Sequence, residues 1–109
     1  MTEPSREFWA GRRTVVTGGA GFLGRFVVRR LEALGAEVSV PLSSECDLRD
    51  AAACRAAFEG AQIVIHLAAR VGGIGFNRRN PAPLVYDNML MAANVFEQAR
   101  LAGVEKLVS

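Results

Sequence analysis

A chain of 109 residues, half of them hydrophobic and 22% charged, has the composition of one globular unit with material for a single core. Thirteen basic against eleven acidic residues leave a formal charge of +2, with no run of five like charges, so neither nucleic acid nor an anionic membrane is expected as a partner. No apolar stretch approaches the length of a membrane span, and the opening MTEPSREFW lacks a signal peptide's apolar region, which makes the cytoplasm the expected location.

A polar leader occupies residues 1–13. RTVVTG is the first strand candidate, and the helix after it is expected to bury Phe22, Leu23, Phe26, Val27, Leu31 and Leu34, with Arg25, Arg29, Arg30 and Glu32 outward, ending at Gly35. AEVSVPLS predicts a second strand that stops near Val40, because Pro41 has no amide hydrogen for a ladder. DLRDAAACRAAFEG predicts an Asp-led helix closing at Gly60, and AQIVIHLAA a third strand buried on both faces. ARVGGIGFNRRNPAP, rich in Gly, Pro and Asn, predicts a long loop. A helix from about Pro83 to Leu101 follows, with Val85, Met89, Ala92, Val95, Phe96 and Ala99 at helical spacing, and VEKLVS opens a fourth strand in which the chain stops. Strands alternating with helices predict βαβ units and a parallel sheet. Cys46 and Cys54, eight apart, match neither a redox pair nor a metal-ligand spacing and are expected to be ordinary thiols in a reducing compartment.

TGGAGFLG lies between the first strand and its helix, with glycines at 18, 21 and 24. In that setting Gly18 can take a turn conformation closed to other residues, Gly21 admits a pyrophosphate to the backbone, and Gly24 lets the helix pack close to the sheet. The helix start then offers amides and a positive dipole end to phosphates. No Gly-Lys-Ser/Thr follows, which excludes a P-loop.

TGGAGFLG, DLRD, HLAA and YDNMLMAANVFEQARLAGVEKLV, in that order, resemble the N-terminal part of the extended short-chain dehydrogenase/reductases, the nucleotide-sugar epimerases, dehydratases and reductases. HLAARVGGIGFNRRNPAPLVYDNMLMAANV, through Val71, Gly72, Gly73 and Ile74, is similar to the GDP-L-fucose synthase branch, which epimerises and then reduces GDP-4-keto-6-deoxymannose with NADPH. The resemblance implies a Rossmann-like α/β fold, a parallel sheet with flanking helices truncated in its fourth strand, and residues 14–109 as the N-terminal part of an NAD(P)-binding domain. It gives the pyrophosphate to Gly18, Gly19, Ala20, Gly21, Phe22, Leu23 and Gly24, and the adenine to Asp47 and Leu48. Leu67, Ala68 and Ala69 would line the ribose and nicotinamide side, and Asn88 would order the active site from behind. Asp47 reads equally well as a helix N-cap. His66 is expected as a satisfied core or strand-end histidine rather than a proton carrier. Arg78 and Arg79 lie where this branch places substrate-side residues, and a solvated loop fits them as well.

NADP is the cofactor expected on family grounds, with NAD the alternative. PLSSEC, after the second strand, holds no Arg or Lys for a 2′-phosphate, so Ser43 or Ser44 would bond either cofactor and Arg25 would have to reach the phosphate. The family's Tyr-x-x-x-Lys pair cannot be assigned: Tyr86 is followed by Leu90 four residues on, Lys106 begins a strand, and Ser109 falls inside the fourth strand. No catalytic or metal-binding residue is therefore expected here, and the chain reads as the cofactor-holding N-terminal part of a longer enzyme. The implied partners are the dinucleotide, a nucleotide sugar in the full-length enzyme, and a second copy through the long helix, whose outer face would offer Met89, Met91 and Ala93. Another nucleotide-sugar 4-epimerase or dehydratase, or a dinucleotide-binding protein without chemistry, are the alternatives.

Overall fold

The computed structural model describes residues 6–69 and 81–109. Eight elements follow in order: α1 (Arg6–Trp9), β1 (Arg13–Thr17), α2 (Phe22–Ala33), β2 (Glu37–Ser39), α3 (Ala51–Phe58), β3 (Ile63–His66), α4 (Pro81–Leu101) and β4 (Lys106–Val108). The strands form one parallel sheet in the order β2-β1-β3-β4. The chain steps from β1 to β2 on one side, then crosses back over β1 to place β3 on the other.

Side chains alternate across the two sheet faces. Val15 and Val64 join Phe58, Cys54, Leu48, Met91, Val95 and Ala99 in a core built with α3 and α4. Val16, with Leu31 and Ala36, forms a second core against which Val27, Val28, Ile65 and Trp9 pack. The sheet is thus covered on both faces, which is why its strands read as continuous β-branched runs. The leader contributes to this second core: α1 brings Trp9 onto it, Phe8 meets Trp9 edge to face at 5.0 Å, and Arg12 stacks over Phe8 while its Nη1 donates to Glu105 at 2.7 Å.

Two helix faces differ from expectation. On α2, Phe22, Leu23 and Phe26 are exposed, and the inward stripe is Gly24, Val27, Val28 and Leu31, with Leu34 buried just beyond the last turn. A Cβ on Gly24 would overlap the Gly18 carbonyl, so this residue faces the sheet. At about 100° per residue, Phe22 and Phe26 then lie about 160° around the helix from Gly24. Their rings pair edge to face at 5.6 Å on the solvent side.

On α4 the buried stripe is Leu84, Asp87, Met91, Val95 and Ala99, whereas Val85, Met89 and Phe96 are exposed. Met91, expected on an outer face, is a core residue. Two apolar stripes run side by side along this helix, and periodicity alone cannot choose between them. The helix also begins at Pro81, inside the stretch expected as loop. Pro81 and Pro83 occupy the first turn, where a missing amide hydrogen breaks no intrahelical bond. Val71, Gly72, Gly73, Ile74, Arg78 and Arg79 lie outside the described residues.

Candidate functional site

Because β2 and β3 flank β1, the strand order reverses between β1 and β3, and a crevice opens beyond the carboxyl ends of these two strands. Two tight segments meet there. After Thr17 the chain turns through Gly18 at φ +74°, and Gly21 N donates back to Gly18 O at 3.0 Å. This turn presses against the end of β3: a Cβ at Gly18 would stand 2.7 Å from Ala68 N. Leu67, Ala68 and Ala69 continue from His66, the last residue of β3.

The resulting cleft has a volume of about 680 Å³. Ten of the residues assigned to the cofactor line it: Gly18, Gly19, Ala20, Gly21, Ser43, Asp47, Leu48, Leu67, Ala68 and Ala69. Four do not. Gly24 is buried beneath the turn, Phe22 and Leu23 point their side chains to solvent from the first turn of α2, and Asn88 is half-buried on α4. Ser44, offered beside Ser43 as a bond to the cofactor, lines the cleft too, and Pro41, Leu42, Cys46, Arg49 and Met91 do so without having been singled out for it. Arg49 was in view within DLRD, whereas Met91 depended on the choice of stripe on α4.

The Asp47 alternatives separate here. Asp50, not Asp47, is the N-cap of α3, its carboxylate accepting from Ala52 N at 2.9 Å. Asp47 Oδ1 accepts from Arg49 N and Nε, and Oδ2 accepts from Arg49 Nη2 at 2.9 Å. Arg49 Nη1 also lies 3.6 Å from Asp87, joining the segment after β2 to α4. The bonds from Asp47, with the nearby carboxylate charges, raise the Arg49 pKa and keep it protonated. Asn94 Nδ2 adds a second tie, donating to Leu48 O at 3.0 Å.

His66 is a strand-end histidine, as expected. It is 9% exposed, and its Nδ1 lies 2.6 Å from Thr17 Oγ1. Burial lowers its pKa below the ordinary 6.5. Both cysteines are free. Cys54 is enclosed in the core and its thiol is pushed up to about 11 by burial, while desolvation followed by the charges of Asp47 and Asp50 raises Cys46. Among the described residues no group of His, Cys, Asp and Glu could hold a metal, and no helix is long and apolar enough to cross a membrane.

These residues fit a dinucleotide. The glycine turn is a cradle that side chains would fill, and Gly21 begins α2 without any side-chain cap, which leaves the helix start beside the cleft available to an anion. Fold and cleft define a Rossmann-like α/β unit with its ligand crevice at the topological switch point. Residues 14–109 match the NAD dependent epimerase/dehydratase family, and the chain belongs to it.

The chain is 37% identical over 100 residues to a GDP-L-fucose synthase of Sinorhizobium fredii, covering 90% of this chain and 32% of that protein. It superposes at a TM-score of 0.81 and 25% identity on MlghC, a GDP-mannoheptose C4 reductase from Campylobacter jejuni with NADP bound, covering 89% of this chain and 32% of the other. DesIV, a dTDP-glucose 4,6-dehydratase from Streptomyces venezuelae with NAD and TYD bound, gives 0.74 at 25% identity, covering 87% and 38%. The chain spans about a third of the length of the curated relative it matches.

Proposed function

We propose that this chain is the dinucleotide-holding part of an NAD(P)-dependent nucleotide-sugar epimerase/reductase of the GDP-L-fucose synthase kind, acting as a full-length enzyme on GDP-4-keto-6-deoxymannose. The observation that carries the reading is the Gly18 turn pressed against Ala68 at the switch point, with an uncapped helix start beside it. The backbone of residues 18–24 would hold the pyrophosphate. Asp47, held by Arg49, would accept from the adenine amine beside Leu48, and Leu67, Ala68 and Ala69 would line the ribose and nicotinamide side. Asn88 would act from behind this wall. A bound nicotinamide supplies the hydride chemistry, and the tyrosine and lysine that the family pairs with it are not assignable in this chain.

NADP is the cofactor we propose. Arg25 Nε donates to Ala20 O at 3.1 Å, which brings a guanidinium to the rim of the glycine turn. Val40 lies against Gly19, so the segment leading to Ser43 and Ser44 is close to that rim. Arg49, the cation within the lining, is already engaged by Asp47 and Asp87. A cytoplasmic location agrees with two free thiols. A homodimer would use the α4 face that exposes Val85, Tyr86, Met89 and Phe96. The second reading, a sugar dehydratase, is favoured by the likeness to DesIV.

Calorimetric titration of the 109-residue chain with NADPH and NADH tests the minimal claim. Saturable binding of NADPH, tighter than NADH, is expected; binding of neither refutes the reading, and a preference for NADH refutes the choice of cofactor. For the full-length enzyme, formation of GDP-L-fucose from the 4-keto sugar separates a fucose synthase from a dehydratase.

A further inference from the structure

The Thr17 hydroxyl is fully enclosed at the last paired rung between β1 and β3, where Thr17 and His66 are register partners. Its oxygen accepts from Ala68 N at 3.2 Å and shares the Leu67 amide hydrogen, at 3.1 Å, with the Thr17 carbonyl, which takes it at 3.0 Å. A hydroxyl oxygen has two acceptor sites and one proton. The amides can only donate to it, so its own proton goes to His66 Nδ1, 2.6 Å away, the acceptor it meets among the described residues. Nδ1 is therefore bare and the ring proton sits on Nε2. A proton on Nδ1 would leave a buried hydroxyl hydrogen without an acceptor.

The two amides gathered by this hydroxyl belong to the segment against which Gly18 turns: Ala68 N and Cα, and Leu67 C, are the atoms that a Cβ at Gly18 would meet. The bond from Thr17 to His66 thus aims the oxygen, and the oxygen holds the wall of the cleft. We propose that Thr17 and His66 are a pair of positioning residues that set the Leu67–Ala68 peptide against the glycine turn, and so shape the cleft for its cofactor. This role rests on the dinucleotide reading above.

The chain holds one histidine, so long-range 1H–15N correlation of the imidazole reports His66 alone. The wild type and Thr17→Ser are expected to show Nε2 protonated and Nδ1 bare, and Thr17→Val to lose that tautomer preference. In calorimetry, Thr17→Ser should bind NADPH within about threefold of the wild type, and Thr17→Val about tenfold or more weakly, the loss expected for stranded buried groups. His66→Asn, whose side-chain carbonyl can accept the same hydroxyl proton, should bind more tightly than His66→Leu, which keeps the test open if Thr17→Val does not fold. A wild-type proton on Nδ1 overturns the pair, as does full affinity in a folded Thr17→Val or His66→Leu. Binding of neither NADPH nor NADH by the wild type overturns the dinucleotide reading and with it the pair's cofactor role; the imidazole signal separately decides the hydrogen bond.

Discussion

Replacing Gly18 and Gly103 separately by alanine isolates the close approach that builds the cleft. Both residues have positive φ, +74° and +76°, so both substitutions carry the same left-handed penalty of about 1–2 kcal/mol. Their surroundings differ: a Cβ at Gly103 meets nothing within 4 Å, whereas at Gly18 it would stand 2.7 Å from Ala68 N and 2.9 Å from Ala68 Cα and Leu67 C. Relieving that contact to 3.4 Å requires a backbone shift of about 0.7 Å, against bonds from the Thr17 hydroxyl and carbonyl. Overpacking of this kind adds about 1–3 kcal/mol. Gly103→Ala should therefore cost about 1–2 kcal/mol and Gly18→Ala about 2–5 kcal/mol. At about 4–8 °C per kcal/mol, the two midpoints should differ by at least about 4 °C in thermal unfolding followed by circular dichroism. Equal losses would refute the contact between the glycine turn and the end of β3.

The surface aromatic pair and the core aromatic make a contrast: Phe26→Ser should change stability by no more than about 0.5 kcal/mol, while Phe58→Ala should cost about 3–5 kcal/mol, both read from urea unfolding. A thiol reagent at pH 7 should modify Cys46 slowly and Cys54 only on unfolding, and NADPH should protect Cys46, which lines the cleft, without affecting Cys54. Because the folded state lowers the His66 pKa below 6.5, the unfolded chain binds the extra proton first as pH falls. Its contribution to stability is full above 6.5 and declines below it toward the folded pKa. His66→Asn should flatten that part of the pH profile of unfolding.

The strands, their order along the chain and the glycine turn were legible in the sequence because each depends on neighbours within a few residues. Thr17 to Phe22 is one such local unit, and ten residues assigned to the cofactor do meet in one cleft. Helix rotation was not legible, since it is decided by contacts distant in sequence or by a choice between equal stripes. Gly24 is turned inward by the Gly18 carbonyl, which strands three apolar neighbours outside, and on α4 the stripe through Met91 is buried instead of the one through Met89. The roles of Asp47 and Asp50 separated for a similar reason. Asp47 opens and Asp50 closes the DLRD segment, but only Asp50 stands where the Ala52 amide can be capped, while Asp47 is engaged by Arg49. The Thr17–His66 bond joins residues 49 apart, and no local pattern announces it.

The central place of β1 also has a consequence during synthesis. Its partner β3 is made 49 residues later, a wait of about 2–10 s at ribosomal rates of roughly 5–20 residues per second. For that interval one edge of β1 has no strand to pair with, although β2, only 24 positions away, can already occupy the other. The emerging chain therefore has half a cleft first, the glycine turn without its opposing wall. That is the stage at which a chaperone or another nascent strand would find an edge to bind.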